Sequence, residues 1–190
     1  MNNLATAMLL AGCASTTVTT ETPATEPERI SIPTPVEPPP MQLVLADLSG
    51  VTNGRWVSKH IAVGGSFDSE ALTSLSEGGI QRIINLRTEG EMDWDEAGLS
   101  EASGLRYVQL PIGSVVDFSP EWLAEFDRLL GEEVPTLVHC ASGNRVGAAF
   151  ALHAQAFKGA SVEDAMTLGE RHGLTSMSSA VRQRLEMIER

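Results

Sequence analysis

Between Thr136 and Gly147 the chain reads Thr-Leu-Val-His-Cys-Ala-Ser-Gly-Asn-Arg-Val-Gly. An apolar, strand-like run ends on Cys140, and a helix-like run begins about five residues later. A thiol at a helix N-terminus has its thiolate stabilised by the dipole and by unpaired amides. Those amides, from Ala141, Ser142, Gly143 and Asn144 onward, can also cradle an anion. Gly143 lets the loop curl without a clashing side chain. Arg145 supplies a planar fork of donors matched to a phosphate or a carboxylate. Nucleophile, cradle and clamp together point to attack on an anionic electrophile. A buried core thiol is the plain alternative for Cys140. The glycine and arginine at loop spacing argue against it. A cradle that binds anions without turning them over is a further alternative.

Val138-His139-Cys140-x-x-Gly143-x-Arg145 resembles the signature loop of protein tyrosine and dual-specificity phosphatases. Gly64-Gly65, Gly79-Ile80, Ile83-Ile84-Asn85-Leu86-Arg87, Gly104-Leu105-Arg106-Tyr107-Val108 and Pro111 extend the resemblance over most of Val51 to Phe157. Together they are similar to a small bacterial phosphatase-like family, also called beta-lactamase hydrolase-like. The resemblance implies an α/β fold of the tyrosine-phosphatase type, a mainly parallel sheet of four to five strands flanked by helices. It implies hydrolysis of phosphate monoesters, on a small molecule or a protein, through a phosphocysteine intermediate and without a cofactor. Cys140 would be the nucleophile, Arg145 the clamp, and the amides from Ala141 to Arg145 the cradle.

The chain departs from the wider phosphatase pattern in two ways. Four residues separate Cys140 from Arg145 instead of five, and Val146 stands where a hydroxyl usually helps the thiolate leave. The shortened loop also resembles that of rhodanese sulfurtransferases, in which the cysteine carries an extra sulfur. A Cys140 persulfide is therefore the second enzymatic reading. The upstream Ile-Asn-Leu-Arg and Tyr-Val-x-Leu-Pro segments favour the phosphatase side.

A phosphatase also needs an acid to protonate the departing oxygen. Asp117 is the first candidate, because related phosphatases carry their acid on the corresponding loop. Asp93 and Asp95 are its rivals. His139 precedes the nucleophile, and on an alternating strand it points away from it, so a positioning hydrogen bond is expected. Arg87 is expected at the same sheet edge, paired with Glu89 or Glu91. His60, His153 and His172 lack ligand spacing, so no metal is expected.

These side chains need a scaffold, and alternating segments predict an α/β domain over residues 41–190. Strands are expected at 56–63, 82–86, 105–110 and 134–139. Helices are expected at 68–77, 96–102, after the Ser119-Pro120-Glu121 cap, at about 146–157, from Ser161, and at about 179–188. The apolar face of Trp122, Leu123, Phe126, Leu129 and Leu130 is expected in the core.

The chain has 190 residues, with 25 acidic against 13 basic ones, a net charge of -12. Such a balance disfavours nucleic acids and anionic membrane surfaces. No apolar run is long enough to span a bilayer. The two cysteines, Cys13 and Cys140, are too few for a disulfide scaffold. Leu4 to Ala11 is a short apolar stretch, and Leu10-Ala11-Gly12-Cys13 resembles the bacterial lipoprotein processing box. The resemblance implies a signal peptide at 1–12, lipid on Cys13 as the only membrane attachment, and a periplasm-facing envelope protein. Ala14 after the cysteine favours the outer membrane. Met1-Asn2-Asn3 lacks the usual basic residue. The stretch up to Pro40 is rich in threonine and then proline, and is expected to be an extended spacer.

Overall fold

A computed structural model of the chain describes residues 47–188. The expected signal peptide, Cys13 and the spacer lie outside these residues. The sheet has five strands: β1 (Arg55–Trp56), β2 (Ile61–Gly64), β3 (Arg82–Asn85), β4 (Arg106–Gln109) and β5 (Thr136–His139). Their spatial order is β1-β2-β5-β3-β4. Only β1 runs antiparallel; β2, β5, β3 and β4 are parallel. β5 sits in the middle, with His139 level with Gly64 on one side and Asn85 on the other.

Alternation along the strands builds two cores. Val63, Ile84, Val138 and Cys140 face one side, packed against α3 (Pro120–Gly131), α4 (Asn144–Lys158), α5 (Val162–Arg171) and α6 (Ser178–Ile188). Ala62, Ile83 and Leu137 face the other, beneath α1 (Ala71–Glu77), beside which lies α2 (Glu96–Ala102). The result is the expected three-layer α/β arrangement. Parallel strands such as β5 are buried on both faces, so all four residues of Thr-Leu-Val-His are buried, the polar Thr136 and His139 included.

One expected strand is divided. The 56–63 run breaks into β1 and β2 because Ser58-Lys59-His60 forms a turn. Ser58 Oγ accepts from the amides of His60 and Ile61, at 3.3 and 3.1 Å. α1 starts at Ala71, not Asp68, whose carbonyl accepts from the Ala71 amide. α3 begins as the sequence predicts: Ser119 Oγ accepts from the Trp122 amide, and Pro120 takes the first helical position. Trp122 is partly buried against the core. Arg82 is buried at the foot of β3, where it donates to the Leu129 carbonyl at 2.6 Å and pairs with Glu132. Among the described residues, no helix is long and apolar enough to cross a membrane.

Candidate active site

β5 delivers Cys140 to the C-terminal edge of the sheet, and the chain turns at once into α4. The turn is made by Gly143, whose φ of 94° is a left-handed value that favours glycine. This turn aims the Gly143 amide at Cys140 Sγ, 3.1 Å away. Neighbours on three sides fix the loop. The Ser66 amide donates to the Ala141 carbonyl at 2.9 Å. Asn53 Nδ2 donates to the Ser142 carbonyl at 3.2 Å. Asn144 Oδ1 accepts from the amides of Thr175 and Met177, while its Nδ2 reaches Ser176 Oγ at 2.8 Å. Asn144 thus ties the loop to the α5–α6 connection.

Arg145 lies one residue inside α4 and is mostly buried. Its Nη1 donates to the Ile112 carbonyl at 2.8 Å and to Glu91 Oε1 at 2.7 Å. Its Nη2 donates to Glu91 Oε2 at 2.5 Å. Glu91 therefore grips the outer edge of the guanidinium bidentately, and the carbonyls at the ends of neighbouring loops fix its angle. Cys140 is close enough to act on the guanidinium electrostatically. The Arg145 bond drives Glu91 down to about 2, and Glu91 in turn raises Arg145.

Beneath the loop, on the α1/α2 face, lies a polar network. His139 Nε2 and Glu96 Oε1 are 2.7 Å apart, and both side chains are fully buried. Asn85 Nδ2 donates to the same carboxylate and to Tyr107 Oη. Its Oδ1 accepts from the Arg87 amide at 2.7 Å. Burial pushes Tyr107 up to about 12. This network holds the end of β3 against the end of β5. His139 points away from Cys140, as alternation requires.

The sequence-predicted site residues divide accordingly. Cys140, Gly143 and Arg145 come together, and Asn144 anchors the loop. Asp117 sits in a turn of its own: its Oδ2 accepts from the amides of Gly113 and Ser114, at 3.0 and 2.7 Å. Those bonds, the Ser114 one foremost, lower its pKa. Arg184 of α6 fixes this loop from outside, donating to the Val115 carbonyl at 2.8 Å and to the Phe118 carbonyl. Asp95 caps α2, accepting from the Gly98 amide at 2.9 Å. The expected pairing of Arg87 with Glu89 or Glu91 does not form. Its nearest carboxylate is Glu96, at 3.8 Å. The reason is the 3-10 turn at Glu89–Glu91, in which Thr88 and Glu91 cap each other and Glu91 swings over to Arg145. Glu91 and Glu96 carry no sequence signal of a place in the site. Both sit in an acidic run that reads as solvated surface. Among the described residues, no group of three or more His, Cys, Asp or Glu side chains could hold a metal.

No family model and no curated protein sequence matches the chain. Solved structures do. Tk-PTP superimposes with a TM-score of 0.57 at 19% identity, covering 72% of this chain and 96% of its own. A DUF442 protein of Shewanella putrefaciens CN-32, named as a candidate phosphatase, gives 0.56 at 20% identity over 74% and 95%. TpbA of P. aeruginosa, solved as a cysteine-to-serine variant in complex with pTyr, gives 0.51 at 14% identity over 77% and 98%. The five-stranded sheet, its flanking helices and these superpositions identify the chain as having the fold of the protein-tyrosine-phosphatase-like proteins.

Proposed function

We propose that the chain is a cysteine-dependent hydrolase of phosphate monoesters. The observation that carries this reading is the Gly143 amide turned onto Cys140 Sγ at the mouth of α4, with the Arg145 guanidinium held one residue inside the same helix. A dianionic phosphoryl group in that mouth meets backbone donors, the positive end of the helix and a charged fork. The Cys140 thiolate forms an S–P bond as the bond from phosphorus to the alcohol oxygen breaks. Asp117 passes its proton to the departing oxygen. Water then attacks phosphorus, gives its proton to the Asp117 carboxylate, and releases inorganic phosphate with the thiolate restored. Val146 is fully buried in the core and offers the departing thiolate nothing, so the Gly143 amide is its stabilising donor.

Aryl-phosphate turnover by the full chain, beside Cys140→Ser under reducing conditions, tests this. Turnover that vanishes in the serine variant is the expected result. No turnover by either protein overturns it. The four-residue loop favours one second reading, sulfur transfer through a Cys140 persulfide. That reading predicts thiocyanate formation from thiosulfate and cyanide by the same protein.

The location is part of the proposal. Leu10-Ala11-Gly12-Cys13 supports lipidation of Cys13 and attachment to the envelope, at the outer membrane. Fatty-acid label should enter the wild-type chain in cells and be lost from Cys13→Ala; an unlabelled wild type sinks the idea.

A further inference from the structure

Beside the cradle, on the α1/α2 face of the sheet edge, lies a cavity of about 390 Å³ that the phosphoryl chemistry leaves unused. Its walls include Thr52, Ser66, Phe67, Asp68, Arg87, Asp93 and Trp94. It adjoins the signature loop. Ser66, whose amide holds the Ala141 carbonyl, also accepts from the Thr52 amide at 3.0 Å through its own carbonyl. Arg87 stands two residues beyond Asn85, the residue level with His139.

Arg87 is the informative residue. It is only 7% exposed, yet its nearest carboxylate is beyond hydrogen-bonding distance. Its Nε is buried and has no hydrogen-bond partner among the described residues. A buried guanidinium nitrogen left without a partner is costly, and the cavity that Arg87 lines has room for a polar ligand. Around it the cavity offers hydroxyls on Thr52 and Ser66 and carboxylates on Asp68 and Asp93. Phe67 and Trp94 contribute an aromatic wall, meeting edge to face at 5.9 Å.

These walls discriminate among ligand classes. A second phosphate would meet Asp68 and Asp93. An apolar group would leave Arg87 unsatisfied and desolvate two carboxylates. A simple cation would face the Arg87 charge. A group that both donates and accepts, and has an apolar face, meets every wall. Its hydroxyl oxygens accept from Arg87, its hydroxyl protons go to Asp68 and Asp93, and its C–H face lies on Trp94. We propose that this cavity is the leaving-group subsite, and that it selects phosphate esters of polyhydroxylated rings, sugars or cyclitols. The proposal deepens the phosphatase reading and rests on it for turnover, though not for binding.

The test therefore begins with binding. Calorimetry on the full-chain Cys140→Ser protein compares glucose 6-phosphate, myo-inositol 1-phosphate and inorganic phosphate. At least one ring ester should bind at least tenfold more tightly than inorganic phosphate. Trp94→Leu and Asp93→Asn, each added to Cys140→Ser and checked by thermal melt, should erase that advantage and leave a clear transition. Equal affinity for ring esters and inorganic phosphate overturns the subsite, as does an advantage that survives both substitutions. Turnover then separates the two levels. If the Cys140 protein hydrolyses phenyl phosphate but the ratio of ring-ester to phenyl-phosphate kcat/KM does not fall at least fivefold in Asp93→Asn, the subsite is wrong and the phosphatase reading stands. If no phosphate ester is hydrolysed while the ring-ester binding advantage holds, the phosphatase reading is wrong and the subsite stands as a binding site.

Discussion

The guanidinium of Arg145 is gripped by the Glu91 carboxylate and feels the charge of Cys140. Glu91 is thus a positioning residue: its two oxygens hold both terminal nitrogens of the clamp and fix its orientation. Charge-assisted bonds of this kind contribute about 1.5–3 kcal/mol, so Glu91→Gln should lower aryl-phosphate kcat/KM roughly tenfold or more. A steady-state assay checks this. The pair also sets a pH signature. Glu91 titrates at about 2 in the fold against an ordinary 4.5. Its stabilisation is fully present above 4.5 and is lost as pH falls toward 2. Melting curves of wild type and Glu91→Gln should therefore converge across that window. Asp117 makes the opposite demand. Its pKa is lowered, and a general acid must hold its proton. Turnover of alkyl phosphates, whose leaving oxygen needs that proton, should rise as pH falls. Asp117→Asn should cut alkyl-phosphate turnover roughly 100-fold while sparing aryl esters with good leaving groups far more. An equal loss on both esters would remove Asp117 from the role.

At the scale of elements, α4 carries the site and α5 holds α4. The two pack with glycine against glycine. A Cβ on Gly147 would lie 2.0 Å from the Leu174 amide nitrogen and 2.5 Å from the Gly169 carbonyl oxygen. Both are backbone atoms and cannot rotate away. Gly147→Ala should destabilise the fold by about 3 kcal/mol or more, at the upper end of overpacking costs. It should lower activity with stability, because Asn144 and Gly143 share that contact region; chemical denaturation measures the first effect. Such tertiary demands explain what the sequence does and does not disclose. The Ser119-Pro120 start of α3 is legible because a cap is local chemistry. The central role of β5 is legible because an apolar run ending in cysteine, then glycine and arginine, is a compact pattern. The Ser58 turn that splits the first strand is short and polar within a strand-like run, and is easily read through. The Glu91–Arg145 pair joins residues 54 positions apart, and no local periodicity records it. Glu96 is hidden for a different reason. A glutamate at the start of a helix ordinarily faces water and favours the dipole, yet here it is buried against His139.

For the whole molecule, acid is the natural stress. Burial lowers His153 and His172 below the ordinary 6.5. A histidine held neutral by the fold contributes stability that is complete above its unfolded value and declines as pH falls below it. The thermal midpoint should accordingly drop as pH is lowered below 6.5, well before Glu91 titrates. His172→Gln should flatten part of that decline; an unchanged slope would place its origin elsewhere.

The position of β5 governs how the chain comes into being. Its two hydrogen-bonding partners, residues 61–64 and 82–85, are synthesised long before it. Until residues 136–139 emerge, β2 and β3 have no common neighbour, and each presents an open edge of unpaired backbone groups. The nucleophile therefore arrives on the strand that zips the sheet shut, and α5 and α6 must still follow to hold its loop. Long-range parallel pairing of this kind is slow and leaves its intermediates open to aggregation. Chains truncated before Thr136 should accumulate as insoluble material, whereas chains that include α4 bring both the missing strand and the helix that covers it.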